Sequence, residues 1–165
     1  MRLKDVVHAD KVLTDWGEWA SGKMPRTAFP LSRSRQNFYR LGSYRWRIIR
    51  FEALGAQFRV LVCLQEDKEQ YRAYLGMECG QDTKLIASYE FHGTHPGWHS
   101  LMTHELLYEV PGGIQKGPWQ SRVPRPRNWH RRRTFGVVEE TATDIACGFF
   151  GLPVEKKQLD MLDQL

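Results

Sequence analysis

Residues 57–91 read QFRVLVCLQEDKEQYRAYLGMECGQDTKLIASYEF, and this stretch decides the fold. Apolar side chains occupy every second position in three runs, 57–65, 71–79 and 83–91, and a run over 44–51 has the same pattern. A period of two is typical of β-strands, because successive side chains point to opposite faces of a sheet. The runs are joined by short polar segments that suit hairpins. We therefore expect an antiparallel β-meander of about four strands, with one buried and one polar face.

Helical patterns flank this meander on both sides. Residues 2–21 carry apolar side chains at helical spacing and end before Gly22, which favours an N-terminal helix. Residues 135–150 have a second apolar stripe, which predicts a helix. Residues 154–165 are charged and amphipathic, and they predict a short terminal helix. The expected fold class is α+β, with the N-terminal helix and the C-terminal helices packed on one face of the meander in a single domain, 1–165.

Length and composition narrow the class of protein. The chain of 165 residues is 41% hydrophobic, as in a folded globular domain, and no apolar run reaches the roughly 20 residues that span a bilayer. Its first residues lack the apolar core of a secretory signal. The three cysteines, Cys63, Cys79 and Cys147, form no CxxC pair, so we expect reduced thiols rather than a disulfide framework. These features predict a cytoplasmic protein with no membrane partner.

The last predicted strand leads into a histidine-rich segment. Residues 90–100 read EFHGTHPGWHS and contain three of the six histidines. Glycine and proline within the segment indicate a shaped loop. Side chains two apart on a strand share a face, so Glu90 and His92 are expected to project together. A carboxylate beside an imidazole fixes the tautomer of the ring and raises its basicity. The candidate catalytic residues are Glu90, His92, His95 and His99.

This histidine loop admits three interpretations. In the first, His92, His95 and His99 bind zinc or another divalent metal and leave one coordination position open for water. In the second, the histidines act as general acid and base without a metal, and Glu90 orients His92. In the third, the histidines are structural, in a loop that is held by Trp98. The residue pattern alone does not separate these three alternatives.

Basic residues are concentrated in two windows that contain no acidic residue. Residues 21–51 hold eight Lys and Arg and residues 110–138 hold seven, whereas the rest of the chain has 9 basic against 19 acidic residues. Such segregation predicts a surface that faces an anionic partner. Arginine suits phosphate recognition, and tryptophan stacks on bases. The expected nucleic-acid contacts are Arg33, Arg35, Arg45, Arg47, Arg122, Arg125, Arg127, Trp129, Arg131, Arg132 and Arg133.

The imidazoles and the arginine windows together predict a small nucleic-acid-processing protein. The favoured function is a ribonuclease-like phosphodiesterase that uses the histidine loop for chemistry and arginines for phosphate contacts, with RNA as the favoured partner. The alternative is a non-catalytic module that binds nucleic acid or an acidic protein, with a structural histidine loop. The chain has no Walker A loop, G-x-S-x-G elbow, H-E-x-x-H helix or cysteine–histidine zinc finger.

Overall fold

The computed structural model describes residues 1–30, 43–92, 97–113, 118–123 and 134–154. Within these ranges the chain forms two α-helices, eight β-strands and a 3₁₀ helix, and neither α-helix has the length or the apolar content needed to cross a membrane. In chain order the elements are α1 (Leu3–His8), β1 (Val12–Asp15), β2 (Ala20–Ser21), β3 (Arg45–Ala53), β4 (Ala56–Gln65), the 3₁₀ helix (Glu66–Lys68), β5 (Gln70–Cys79), β6 (Asp82–Phe91), β7 (His99–Thr103), β8 (Gln120–Val123) and α2 (Glu139–Phe150).

The strands form one antiparallel sheet. Seven of them lie side by side in the order β1-β3-β4-β5-β6-β7-β8, and β2 also pairs with β3. The four strands from β3 to β6 confirm the predicted meander, since each begins and ends within two residues of its predicted run. The sheet is larger than expected, because β1 and β2 extend it at one edge and β7 and β8 extend it at the other.

The N-terminal helix is much shorter than the predicted helix over 2–21, and that prediction is wrong beyond His8. Ala9 has an extended backbone and closes the helix. Leu13 then pairs with Phe51 on β3, so a neighbouring strand satisfies the backbone groups of this segment. The apolar spacing fits a helix, but pairing along the edge of β3 removes an unpaired row of backbone donors and acceptors.

The later helix and the last strand also differ from the predicted pattern. The helix begins four residues later than the predicted helix over 135–150 and ends where the pattern ends. The segment 114–133, which its prolines predict to be a loop, contains β8, because Pro118 and Pro124 flank the strand instead of interrupting it. The predicted terminal helix over 154–165 lies outside the described residues, except for its first residue.

Both faces of the sheet bury apolar side chains, so the expectation of one wholly polar face is wrong. The helix face, which carries α1 and α2, holds the larger core, and the segment after β2 covers a smaller core on the opposite face. Strand residues of the larger core include Phe51, Phe58, Tyr71, Leu75 and Phe91. Members of the smaller core include Met24, Phe29, Trp46, Ile48 and Leu61. Charged side chains of the central strands also lie on this opposite face, where Arg50 pairs with Asp15 and Arg59 pairs with Glu78.

An extra residue in β6 changes which side chains share a face. Leu75 pairs with Ala87 and Gly76 pairs with Leu85, so Ile86 forms a β-bulge between them. Leu85 therefore joins the smaller core, whereas Ala87 belongs to the core on the helix face. The alternation over 83–91 predicts that Leu85 and Ala87 share a face, and this prediction is wrong because the bulge lies between them. Regular alternation resumes after it and continues to the end of β6.

Candidate functional site

Glu90, His92 and His99 come together where β6 ends and β7 begins, on the face opposite the helices. Glu90 and His99 are direct cross-strand partners, and His92 follows Glu90 on the same face. Each residue offers a ligand atom, and these atoms lie within 4.8 Å of one another. We call these three residues the Glu90 cluster. The expected juxtaposition of Glu90 and His92 is confirmed, and His99 reaches the same place from the neighbouring strand.

The contacts within the Glu90 cluster are close and largely shielded from water. The Nε2 atom of His92 lies 3.9 Å from Oε2 of Glu90, and these side chains are 15% and 13% exposed. The rings of His92 and His99 meet edge to face, with their centroids 4.9 Å apart. Ser88 donates from its hydroxyl to Oε1 of Glu90 over 2.7 Å. One carboxylate oxygen is thus held by Ser88, while the other is turned toward an imidazole.

His99 is the most deeply buried member of the cluster, with 7% of its surface exposed. Its Nδ1 atom lies 3.3 Å from the carbonyl oxygen of Gly97. Because a carbonyl oxygen only accepts hydrogen bonds, this contact places a proton on Nδ1 and makes Nε2 the ligand atom of the neutral ring. The preceding Trp98 stacks on Tyr89 in the larger core, with ring centroids 4.8 Å apart, and so anchors this part of the loop. His95 lies outside the described residues.

Arg72 is the residue of this site that the sequence patterns did not indicate. It pairs with Glu90 across β5 and β6, on the same face as the Glu90 cluster. Its guanidinium carbon lies 5.5 Å from the centroid of the Tyr44 ring, and its side chain hydrogen-bonds Tyr74. Its Nε atom is buried and has no hydrogen-bond partner in the part of the chain that the structure describes. A half-buried cation with an unsatisfied donor is suited to hold an anion.

The surroundings of Arg72 favour its charged form, and the nearby tyrosines and Cys63 stay neutral. Burial lowers the pKa of Arg72, but Tyr74, Tyr44 and Glu90 together outweigh burial, so its pKa is raised above the ordinary value. Burial raises the pKa of Cys63 to about 12, although Arg72 opposes this increase. Burial also raises the pKa of both tyrosines. At neutral pH Arg72 therefore places a fixed positive charge beside the Glu90 cluster.

Arg45 and Arg47, two of the expected nucleic-acid contacts, lie on the helix face and are engaged within the fold. Arg47 is only 7% exposed, and its Nε donates to the carbonyl oxygens of Trp16 and Gly17 over 2.9 and 3.1 Å. Arg45 forms an ion pair with Glu139 at the start of α2, with 3.0 Å between nitrogen and oxygen. The structure therefore does not bring these two arginines to the Glu90 cluster.

Arg122, another expected contact, shares the face of the Glu90 cluster. It pairs with Leu101 on β7, two residues beyond His99. His104 is half exposed, and its Nε2 lies 3.2 Å from Oε1 of Glu105, outside the cluster. The other expected nucleic-acid contacts lie outside the described residues: Arg33, Arg35, Arg125, Arg127, Trp129, Arg131, Arg132 and Arg133.

The Glu90 cluster offers the kinds of donor atom that zinc and similar divalent metals accept, namely imidazole nitrogen and carboxylate oxygen. Donors on one ion, each at about 2.0–2.2 Å, lie no more than about 4.4 Å apart. The ligand atoms of the Glu90 cluster lie within 4.8 Å of one another, which is close to the separation that a shared metal ion requires. The contacts of Ser88 with Glu90 and of Gly97 with His99 are of the kind that orient metal ligands. These residues are compatible with a three-ligand metal site.

Comparisons with protein-family models, with curated protein sequences and with solved structures found no match for this chain. The assignment of a function therefore depends on the geometry of the Glu90 cluster and of Arg72.

Proposed function

We propose that this protein is a metal-dependent phosphodiesterase that acts on RNA, with the Glu90 cluster as its centre and Arg72 as a phosphate contact. The observation that carries the proposal is the carboxylate and two imidazoles beside a half-buried guanidinium whose Nε lacks a partner in the described part of the chain. A phosphodiester that is being cleaved gains negative charge on its oxygens. A cation site and a preoriented guanidinium at the same place supply the matching stabilisation.

The spacing of the two imidazoles favours a metal over direct acid–base catalysis. In phosphoryl transfer the attacking and leaving oxygens lie in line on opposite sides of phosphorus, so a general acid and a general base are separated by the phosphoryl group. The rings of His92 and His99 instead contact each other, with centroids 4.9 Å apart. That proximity suits two ligands of one ion. A divalent cation held there would lower the pKa of a bound water and supply the nucleophile.

The remaining roles fall to side chains on the same face of the sheet. Ser88 fixes the carboxylate of Glu90, so that Oε2 is presented toward the imidazoles. Arg72 has a planar fork of donors that matches two oxygens of a phosphate, and Tyr44 supports its plane. Arg122 extends the positive charge along β8 toward the next phosphate of a polynucleotide.

The position of the second basic window supports RNA as the substrate. Its arginine-rich part, residues 124–133, joins described residues at both ends near the Glu90 cluster. Val123 pairs with Ser100 beside His99, and Trp98 donates from Nε1 to the carbonyl oxygen of Thr134 over 3.4 Å. The sequence between these two ends contains five arginines and a tryptophan, a composition that suits contacts with RNA.

The test is cleavage of a fluorophore-labelled RNA oligonucleotide of mixed sequence by purified protein with Zn²⁺, Mn²⁺, Mg²⁺ or EDTA. We expect cleavage that needs a metal ion and stops with EDTA. His92→Ala and Glu90→Gln should each lower kcat/KM by at least about 100-fold, because each removes a ligand. His104→Ala is the matched control, since this imidazole lies outside the cluster, and it should retain full activity.

Two results would count against this function. Failure to cleave the RNA with any of these ions would reject the phosphodiesterase. Unchanged cleavage by His92→Ala would reject the site. Elemental analysis adds a readout that is independent of activity, because the wild-type protein should retain a stoichiometric transition metal that Glu90→Gln loses.

A second candidate function is a non-catalytic binder of nucleic acid or of an acidic protein. It is favoured by the burial of His99 and by the packing of Trp98 into the larger core, both of which suit a structural loop. This function predicts salt-dependent RNA binding without cleavage, and a His92→Ala protein that is less stable but binds RNA with unchanged affinity.

A further inference from the structure

A cavity of about 420 Å³ lies on the helix face, away from the Glu90 cluster. Its floor is formed by Ala87 and Met102, which are cross-strand partners on β6 and β7. Leu3 and Val7, one turn apart on α1, form one wall, and the end of α2 forms the other with Phe149 and Phe150. The interior is therefore hydrocarbon on three sides.

The rim of this cavity is basic. Arg2, Lys4, His8 and His104 line it and are exposed, whereas the acidic residue of the lining is Glu105, which pairs with His104 at 3.2 Å. Two permanent positive charges, on Arg2 and Lys4, thus stand at the mouth of an apolar cavity. An apolar interior with cations at its entrance is complementary to a molecule with a hydrocarbon body and an anionic head.

We propose that this cavity binds an aliphatic carboxylate of medium chain length. At about 30 Å³ for each non-hydrogen atom, as in liquid water, its volume of about 420 Å³ accommodates about 14 such atoms, enough for the ten carbons and two oxygens of decanoate. The hydrocarbon chain lies between α1 and the end of α2, on the floor of Ala87 and Met102. The carboxylate lies at the mouth beside Arg2 and Lys4. Because this site is on the other side of the sheet, it does not depend on the function of the Glu90 cluster.

Calorimetric titration of the full chain with decanoate, below its micelle concentration, tests the proposal. We expect one molecule of decanoate to bind per chain and to raise the Tm. Acetate, which lacks the hydrocarbon body, should give no detectable binding. Decyltrimethylammonium has a chain of the same length but the opposite charge, and it should bind at least about tenfold more weakly. Equal binding of the two decyl compounds, or no binding of decanoate, would overturn the proposal.

Variants of the lining locate the ligand. Met102→Trp fills the floor and should abolish decanoate binding, whereas Met77→Trp places the same bulk at a half-buried core position outside the cavity and should not. If Met102→Trp does not fold, Val7→Phe narrows the cavity from α1 and should weaken binding. Wild-type affinity in a folded protein with either filling substitution would reject this location.

The charged rim gives a separate test. Arg2→Gln combined with Lys4→Gln should weaken decanoate binding about fivefold and remove most of its dependence on salt, because surface charges contribute modestly and are screened. The pair Lys23→Gln and Lys68→Gln removes the same charge from exposed positions elsewhere and should leave the affinity unchanged. Equal effects of the two pairs would mean that net charge, and not this rim, attracts the carboxylate.

Discussion

Arg72 combines contacts within the fold with one unused hydrogen-bond donor. Its surroundings outweigh the effect of burial on its charge, yet its Nε has no partner among the described residues. Arg59 on the neighbouring strand provides the contrast, because it pairs with Glu78 and also donates to the carbonyl oxygens of Thr27 and Ala28. A charge that is only partly satisfied within the fold is typical of a binding site.

We expect Arg72→Met to lower the free energy of unfolding by about 1–3 kcal/mol, because it leaves Glu90 and the Tyr74 hydroxyl without this cation. The same substitution should lower kcat/KM on RNA at least about tenfold. Arg59→Met, the matched control, should destabilise the protein by a similar amount and should retain activity. Urea unfolding and the RNA assay measure both effects. Full activity of a folded Arg72→Met protein would show that Arg72 is only structural.

The Glu90 cluster illustrates which residues a pattern can place. Glu90 and His92 were predictable as neighbours, because alternation along one strand needs no knowledge of pairing. Arg72 was not predictable in the same way. Counting outward from the hairpin, in which Cys79 pairs with Asp82, places Tyr89 opposite Arg72, and the bulge moves the true partner to Glu90. A cross-strand contact therefore requires the register, which the sequence does not display.

At the scale of elements, the turn between β1 and β2 depends on Gly17. Its φ angle is +62°, and a Cβ atom there would collide with the carbonyl oxygen of Ile48 on β3. The carbonyl group of Gly17 also accepts from Nε of the buried Arg47. The residue thus combines a left-handed backbone with close approach to a strand, which only glycine permits.

We expect Gly17→Ala to lower the free energy of unfolding by more than about 2 kcal/mol. The left-handed backbone accounts for about 1 kcal/mol of this loss, and the displacement of β3 by the added Cβ accounts for the rest. Gly22→Ala is the matched control, because its φ angle is +78° but nothing lies within 4 Å of the added Cβ. It should lower the stability by only about 1 kcal/mol. The urea midpoint of each variant measures the difference, and equal losses would contradict the collision with Ile48.

The segment that contains β1 and β2 shows why part of the secondary structure was predicted wrongly. The central strands were found because their apolar faces alternate over nine or ten residues. The segment after α1 is short, and its apolar residues fit a helical spacing equally well. Its strands form because β3 presents an edge to pair with, which is a tertiary effect that local spacing does not contain.

For the whole molecule, the buried acidic groups predict a loss of stability at alkaline pH. Burial raises the pKa of Cys63 to about 12 in the folded protein, from an ordinary value of 9.0, and raises that of Tyr71 and Tyr74 well above 10.0. The unfolded chain releases these protons at lower pH than the folded protein does. Stability is therefore fully present below pH 9 and falls as the pH rises above it.

We expect Cys63 alone to account for a loss of about 2 kcal/mol between pH 9 and pH 10.5, at about 1.4 kcal/mol for each pH unit. Urea unfolding at a series of pH values measures this loss. Cys63→Ala should show a shallower decline by about the same amount, whatever its stability at pH 7. Parallel declines in the two proteins would show that the Cys63 thiol ionises as readily in the folded protein as in the unfolded chain.

The bulge at Ile86 gives β6 one residue more than its pairing with β5 requires. A homologue that lacks one residue between Gly80 and Glu90 can straighten the strand and still place Glu90 opposite Arg72. A homologue with one residue added there cannot place Glu90 opposite Arg72 without a further bulge. The same holds for a homologue that lacks one residue between Arg72 and Cys79. A single gap in this part of β6 among homologues would therefore mark the loss of the bulge, and not the loss of the pair Arg72 and Glu90.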